Sequence, residues 1–94
     1  MENYELTVVL DGKTTSVKVK VFKERVEKLL SVFKGKVIKV DDWGKKDLAY
    51  KIDKNTSGYY LFFELELEKS SLSQINQKLK MEEGVIRSLI IRKD

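Results

Sequence analysis

The chain has 94 residues, enough for one domain around a single core, and contains neither cysteine nor histidine. That excludes disulfides and thiolate chemistry, removes the commonest neutral-pH acid–base group, and leaves a zinc site without its usual ligands, so no metal or cofactor is expected. Lys and Arg number 19 against 15 acidic residues, a formal charge of +4, which permits a nucleic-acid partner without demanding one.

No apolar run approaches the ~20 residues needed to span a bilayer, and the N-terminus lacks a signal-peptide pattern. A cytoplasmic protein without a membrane partner is the expectation. The first strand reads Tyr4 to Leu10, with Tyr4, Leu6, Val8 and Leu10 on one face and Glu5, Thr7 and Val9 on the other. Asp11-Gly12 is a turn signal.

The following stretch supports two periods. Val17, Val19 and Val21 alternate as in a strand, and the preceding Asp-Gly suggests a hairpin. Val19, Phe22, Val26, Leu29, Leu30 and Phe33 recur at helical spacing over a longer window. Length favours a helix from about 15 to 34, with its first turns open, N-capped among Thr14, Thr15 and Ser16 and closed by Gly35. Lys18, Lys20, Lys23, Lys28 and Lys34, interleaved with Glu24 and Glu27, form its solvated face.

Lys36–Val40 is read as the second strand, interrupted by a bulge or loop over 41–47 and resuming at Leu48–Ile52. Asp53 to Gly58 supply turn-forming residues, and Tyr59–Leu67 returns as the third strand. Leu61, Phe63, Leu65 and Leu67 share one of its faces; Tyr60, Phe62, Glu64 and Glu66 share the other. A second helix over 71–83 begins at Ser70 or Ser71, carries Leu72, Ile75 and Leu79 inward, and ends at Gly84. Val85–Arg92 is the last strand, apolar on both faces.

The order β-α-β-β-α-β is the ferredoxin-like α+β sandwich, a single domain over residues 1–94. Both helices lie on one side of a four-stranded antiparallel sheet, and the other side is left open unless a partner covers it. Alternation gives that open face Val9, Leu48, Tyr50, Tyr60, Phe62, Leu89 and Ile91. Together these could reach a few hundred Å², about the size at which an exposed apolar patch signals a partner. Basic residues occur as Lys45 and Lys46, as Lys51 and Lys54 around the hairpin turn, and as Arg87, Arg92 and Lys93. Gathered at one edge of the sheet, with Tyr4 beside them, they point to RNA phosphate contacts.

Two other readings remain open on the residues alone. Ser57 to Phe63 loosely resembles the aromatic strand of an RNA-recognition motif, although the basic residue before the glycine and the first-strand partner motif are missing. A free-standing single-strand RNA binder would then stack bases on Tyr60 and Phe62. The fold class also includes acylphosphatases, but no Gly-rich phosphate cradle is present, and Asp41-Asp42 reads as a solvated loop rather than a catalytic pair. No small-molecule substrate is expected.

Several segments taken together carry a more specific likeness. They are Tyr4-Glu5, Asp42-Trp43-Gly44-Lys45-Lys46, Leu48-Ala49-Tyr50-Lys51-Ile52, Gly58-Tyr59 and Val85-Ile86-Arg87. In order and spacing the chain resembles the ribosomal protein S-six family of the bacterial small subunit, over essentially its full length. The resemblance implies the ferredoxin-like fold, a helix in the ambiguous stretch, and no catalysis. It also implies binding to the central domain of small-subunit ribosomal RNA together with ribosomal protein S-eighteen. Tyr4, Lys46, Arg87 and Arg92 are carried over as RNA-facing, and Leu48, Tyr50, Phe62 and Leu89 as protein-facing. Three departures stand out. Glu2 and Asn3 occupy places where family members have Arg, so no N-terminal phosphate contact is carried over. Lys51 replaces the usual Pro, restoring a backbone N–H. The chain stops at Asp94 without the long tail of some members.

Overall fold

A computed structural model describes residues 1–52 and 55–93, with side chains for all of these except 48–52, 55 and 56. The element order is strand β1 (Glu2–Asp11), helix α1 (Ser16–Val32), strands β2 (Lys36–Ile52) and β3 (Asn55–Leu67), helix α2 (Leu72–Lys80) and strand β4 (Val85–Arg92). The strands form one sheet in the order β2-β3-β1-β4, and every pairing is antiparallel. The expected ferredoxin-like arrangement is the one observed.

The stretch with two periods is helical. Val19, Phe22, Val26 and Leu30 are its buried stripe, whereas Val17 and Val21, which only a strand would have used, are exposed. Thr15 is the N-cap, its Oγ1 accepting from the Lys18 N–H at 3.3 Å. At the other end the left-handed residue is Lys34, at φ +62°, not Gly35. The Lys34 and Gly35 N–H groups donate to the carbonyls of Ser31 and Leu30 at 3.0 and 2.8 Å, closing the helix as a Schellman pair. Gly35 is demanded by space instead: a Cβ there would lie 2.7 Å from the Glu66 carbonyl oxygen.

The core fills the layer between helices and sheet. Leu6, Val8 and Leu10 from β1 and Leu61, Phe63, Leu65 and Leu67 from β3 meet the α1 stripe and Ile75 and Leu79 of α2. Phe22 and Phe63 pack edge to face, centroids 6.3 Å apart. Alternation on two neighbouring strands therefore supplies one complete wall of the core.

One open choice is resolved and two boundaries differ from expectation. The two segments of the second strand are one element, β2, and of the bulge or loop expected over 41–47 it is the bulge that is observed: β2 runs beside β3 with register shifts at Val37/Lys39, Asp42/Gly44 and Asp47/Ile52. A bulge of this kind leaves one residue unpaired without ending the ladder. The third strand begins at Asn55 rather than Tyr59, so the turn formers Ser57 and Gly58 are paired, opposite Asp47 and Lys46. Cross-strand bonds to β2 override their turn preference; the rest of the expected turn, Asp53 and Lys54, lies outside the described residues. Finally, α2 is shorter than 71–83. A 3-10 turn at Lys69–Ser71 precedes it, Ser71 makes no side-chain cap, and Gly84 takes φ +87° in the connection to β4.

Candidate protein and nucleic-acid interface

The pairing register assigns the open sheet face row by row. One row runs Asp41–Phe62–Thr7–Leu89 across β2, β3, β1 and β4. The next runs Gly44–Tyr60–Val9–Arg87, and on the other side lies Lys39–Glu64–Glu5–Ile91. Leu89 and Ile91 are half exposed, at 52% and 50%, and Tyr60 and Phe62 are partly exposed. Four of the expected partner-facing side chains thus share one surface. Val9 belongs to the same face by register but is buried, at 6%, because its short side chain lies between Tyr60 and Arg87; it supports the surface from beneath. Leu48 and Tyr50 have side chains outside the described residues.

Among the described residues, the most exposed ring on this face is one that alternation does not point to. Trp43 is 53% exposed and stacks on Phe62, ring centroids 5.7 Å apart and planes within 2° of parallel. It is the additional residue in the bulge, since Asp42 opposes Leu61 and Gly44 opposes Tyr60. Gly44 takes φ +75° with nothing within 4 Å of where a Cβ would stand, so the position requires conformation rather than room. The signal in the sequence was Trp-Gly itself, an exposed aromatic beside a residue free to turn.

Asp42, expected as a solvated loop residue, is a junction instead. Its Oδ1 accepts from the Gly44 N–H at 3.0 Å, and its Oδ2 accepts from Tyr59 Oη at 2.9 Å and Lys23 Nζ at 3.2 Å. Partial desolvation alone would raise its pKa, but the bonds from Tyr59, Lys23 and Gly44 together outweigh it and hold the carboxyl below its ordinary value. Tyr59, donating to that carboxylate and partly desolvated, is correspondingly harder to ionise.

The basic residues do not collect at one edge. Lys45 and Lys46 lie on β2, while Arg87 and Arg92 are on β4 and Lys93 follows it, at opposite edges of the sheet. Register divides them again. Lys46, opposite Gly58, and Arg87, opposite Val9, project to the open side, whereas Lys45, opposite Tyr59, and Arg92, opposite Tyr4, project to the helix side. Arg92 pairs with Glu2 at 3.3 Å and Lys93 with Glu64 at 2.9 Å. Tyr4, expected to face RNA, is a core residue at 3% exposure, and its hydroxyl donates to Glu2 at 2.9 Å. Burial, reinforced by Glu2, raises its pKa. Lys54 lies outside the described residues.

On the helix side, a groove of about 400 Å³ runs between the β1–α1 turn and the end of α2. Arg25 and Glu82 bridge across it at 3.0 Å. Among the described residues, no three His, Cys, Asp or Glu side chains are placed to hold a metal ion, and no helix is long and apolar enough to cross a membrane.

A ferredoxin-like sheet with helices on one side and exposed rings and aliphatic side chains on the other defines an α+β domain of the ferredoxin-like class. Its lineage is specific: the chain belongs to the family described as Ribosomal protein S6, whose family model matches residues 3–92. It is 36% identical over 94 residues to the small ribosomal subunit protein bS6 of Dehalococcoides mccartyi, covering 100% of this chain and 86% of that one. Against the bS6 protein of Corynebacterium glutamicum the identity is 34%, covering 100% of this chain and 99% of the other. The 30S ribosomal protein S6 of Thermotoga maritima has the same fold, with a TM-score of 0.89 at 24% identity over 98% of this chain and 87% of that one. The family is one of structural small-subunit proteins and not of enzymes.

Proposed function

We propose that this single domain, residues 1–94, is a cytoplasmic structural component of the small ribosomal subunit that joins ribosomal RNA to a second protein. The open face takes the protein, ribosomal protein S-eighteen, and the basic side chains at the two sheet edges take phosphates in the central domain of the RNA. The observation that carries this division is the set of exposed apolar side chains on the face without helices: Trp43, Leu89 and Ile91 are each half exposed or more, and Phe62 and Tyr60 share that face. Covering such a set supplies about 25 cal/mol per Å² before association entropy is subtracted. Lys46 and Arg87 border it on the same side, which lets one surface touch protein at its centre and phosphate at its margins.

The test replaces Phe62 with Ala and measures affinity for the protein partner alone and for unpaired RNA alone. Loss of partner binding with RNA contact retained supports the proposal. The reverse outcome assigns the aromatic side chains to base stacking and overturns it.

A further inference from the structure

We propose that Asp42 is the positioning residue of the partner surface: its carboxylate holds the bulge that lays Trp43 on Phe62, and this stacked pair is the anchor on which the protein partner docks. The docking half rests on the function proposed above; the positioning half stands on this chain alone.

An unpaired residue in a bulge receives no direction from the ladder. Trp43 has that place, and β2 is an edge strand with no outer neighbour to hold it. What fixes the bulge is a set of side-chain bonds. Asp42 Oδ1 closes across Trp43 to the Gly44 N–H, while Oδ2 ties the same carboxylate to Lys23 of α1 and Tyr59 of β3. Helix, neighbouring strand and bulge therefore meet at one group on the helix side of the sheet. The ring they orient lies on the opposite side.

The orientation matters because a partner gains most from an anchor that is already placed. Trp is among the residues most enriched at the energetic centre of protein interfaces. An indole stacked beforehand surrenders little freedom on association. Tyr60 neighbours Phe62 on the same face of β3, and Leu89 and Ile91 lie across Thr7 and Glu5 of β1, so the anchor shares the open face with the other partner-facing side chains.

Trp43 is the only tryptophan of the chain, and its fluorescence and near-ultraviolet dichroism report the stack without a partner. The experiment compares the full chain with Asp42→Ala, Asp42→Asn, Tyr59→Phe and Trp43→Ala, with far-ultraviolet dichroism as the check of folding. Asp42→Ala should shift the emission to the red, raise iodide quenching and weaken the aromatic dichroism. Asp42→Asn, which keeps an acceptor for Gly44, should retain most of the signal. Tyr59→Phe, which releases Oδ2 from β3, should lose part of it, and an unchanged signal in Tyr59→Phe overturns the positioning role if the alanine variant does not fold. Against purified ribosomal protein S-eighteen, Trp43→Ala and Asp42→Ala should each lose about tenfold in affinity, and the double variant no more than Trp43→Ala. An unchanged indole signal in Asp42→Ala overturns the positioning role. A changed signal with unchanged affinity overturns the anchor. If the unmodified chain fails to bind the partner, the function proposed above fails with the anchor, and fluorescence still judges Asp42.

Discussion

Replacing Asp42 with Asn at neutral pH removes a charge that receives two side-chain donors while leaving the shape of the residue in place. A hydrogen bond to a charged group is worth about 1.5–3 kcal/mol when buried. Here Lys23 and Asp42 are 30% and 35% exposed, so solvent screening reduces the loss to about 1 kcal/mol. The sign with pH follows from the direction of the shift. The folded carboxyl is held below its ordinary value, so its stabilisation is fully present above the unfolded pKa and is lost as pH falls through the folded pKa. In strong acid both chains carry a neutral side chain at this position, and their stabilities should converge. Urea unfolding of both, followed by far-ultraviolet dichroism from neutral pH down to about 2, reads the difference directly. A gap that stays constant, or widens as the pH falls, would refute the assignment of Asp42 as a charged junction.

Other expectations follow from single positions. Lys34 occupies the left-handed residue after α1 at φ +62°, so Lys34→Gly should stabilise the fold by about 0.5–1 kcal/mol in the same assay. Ser88 has a buried hydroxyl without a hydrogen-bond partner, and Ser88→Ala should be neutral or stabilising by up to about 1 kcal/mol. Phe63 is fully buried against Phe22; Phe63→Ala should remove about 3–5 kcal/mol, visible as a large fall in the unfolding midpoint. Lys46→Ala should weaken RNA binding across sequences and reduce the salt slope by about 1, measured by titration at several salt concentrations.

The two sides of the sheet have separate tasks, and β3 shows it most clearly. Leu61, Phe63, Leu65 and Leu67 have no exposed surface and form the core wall. Phe62 and Tyr60, next to them in sequence, face away from the helices toward the surface assigned to the partner. A substitution at Phe63 should therefore register in stability, and one at Phe62 in association.

Most of the core was legible residue by residue because its signals are local. Alternation in β1 and β3 and the helical recurrence of Val19, Phe22, Val26 and Leu30 each need only a few neighbours along the chain. The open face was legible by the same rule, and Tyr60, Phe62, Leu89 and Ile91 share one surface. The motif around Trp43-Gly44 was visible too, but not what Trp43 does there. Counting by twos fails at a bulge, where one residue stands without a partner.

Local pattern alone thus determined the order of strands and helices and which of their faces is apolar, but not where β2, β3 and α2 begin and end. Tertiary structure decided the rest, because pairing joins residues far apart in the chain. Hydrogen bonds to β3 keep β2 continuous through a stretch whose own residues favour a break. The strand order carries Lys46 and Arg87 to opposite edges, and the split arrangement of the two βαβ halves was the available sign of that separation. Tyr4 reads as amphipathic until burial and Glu2 settle its ring in the core. Asp42 reads as a loop carboxylate until α1 and β3 bring Lys23 and Tyr59 to it. A side chain's neighbours along the chain set its face, but its neighbours in space set its role.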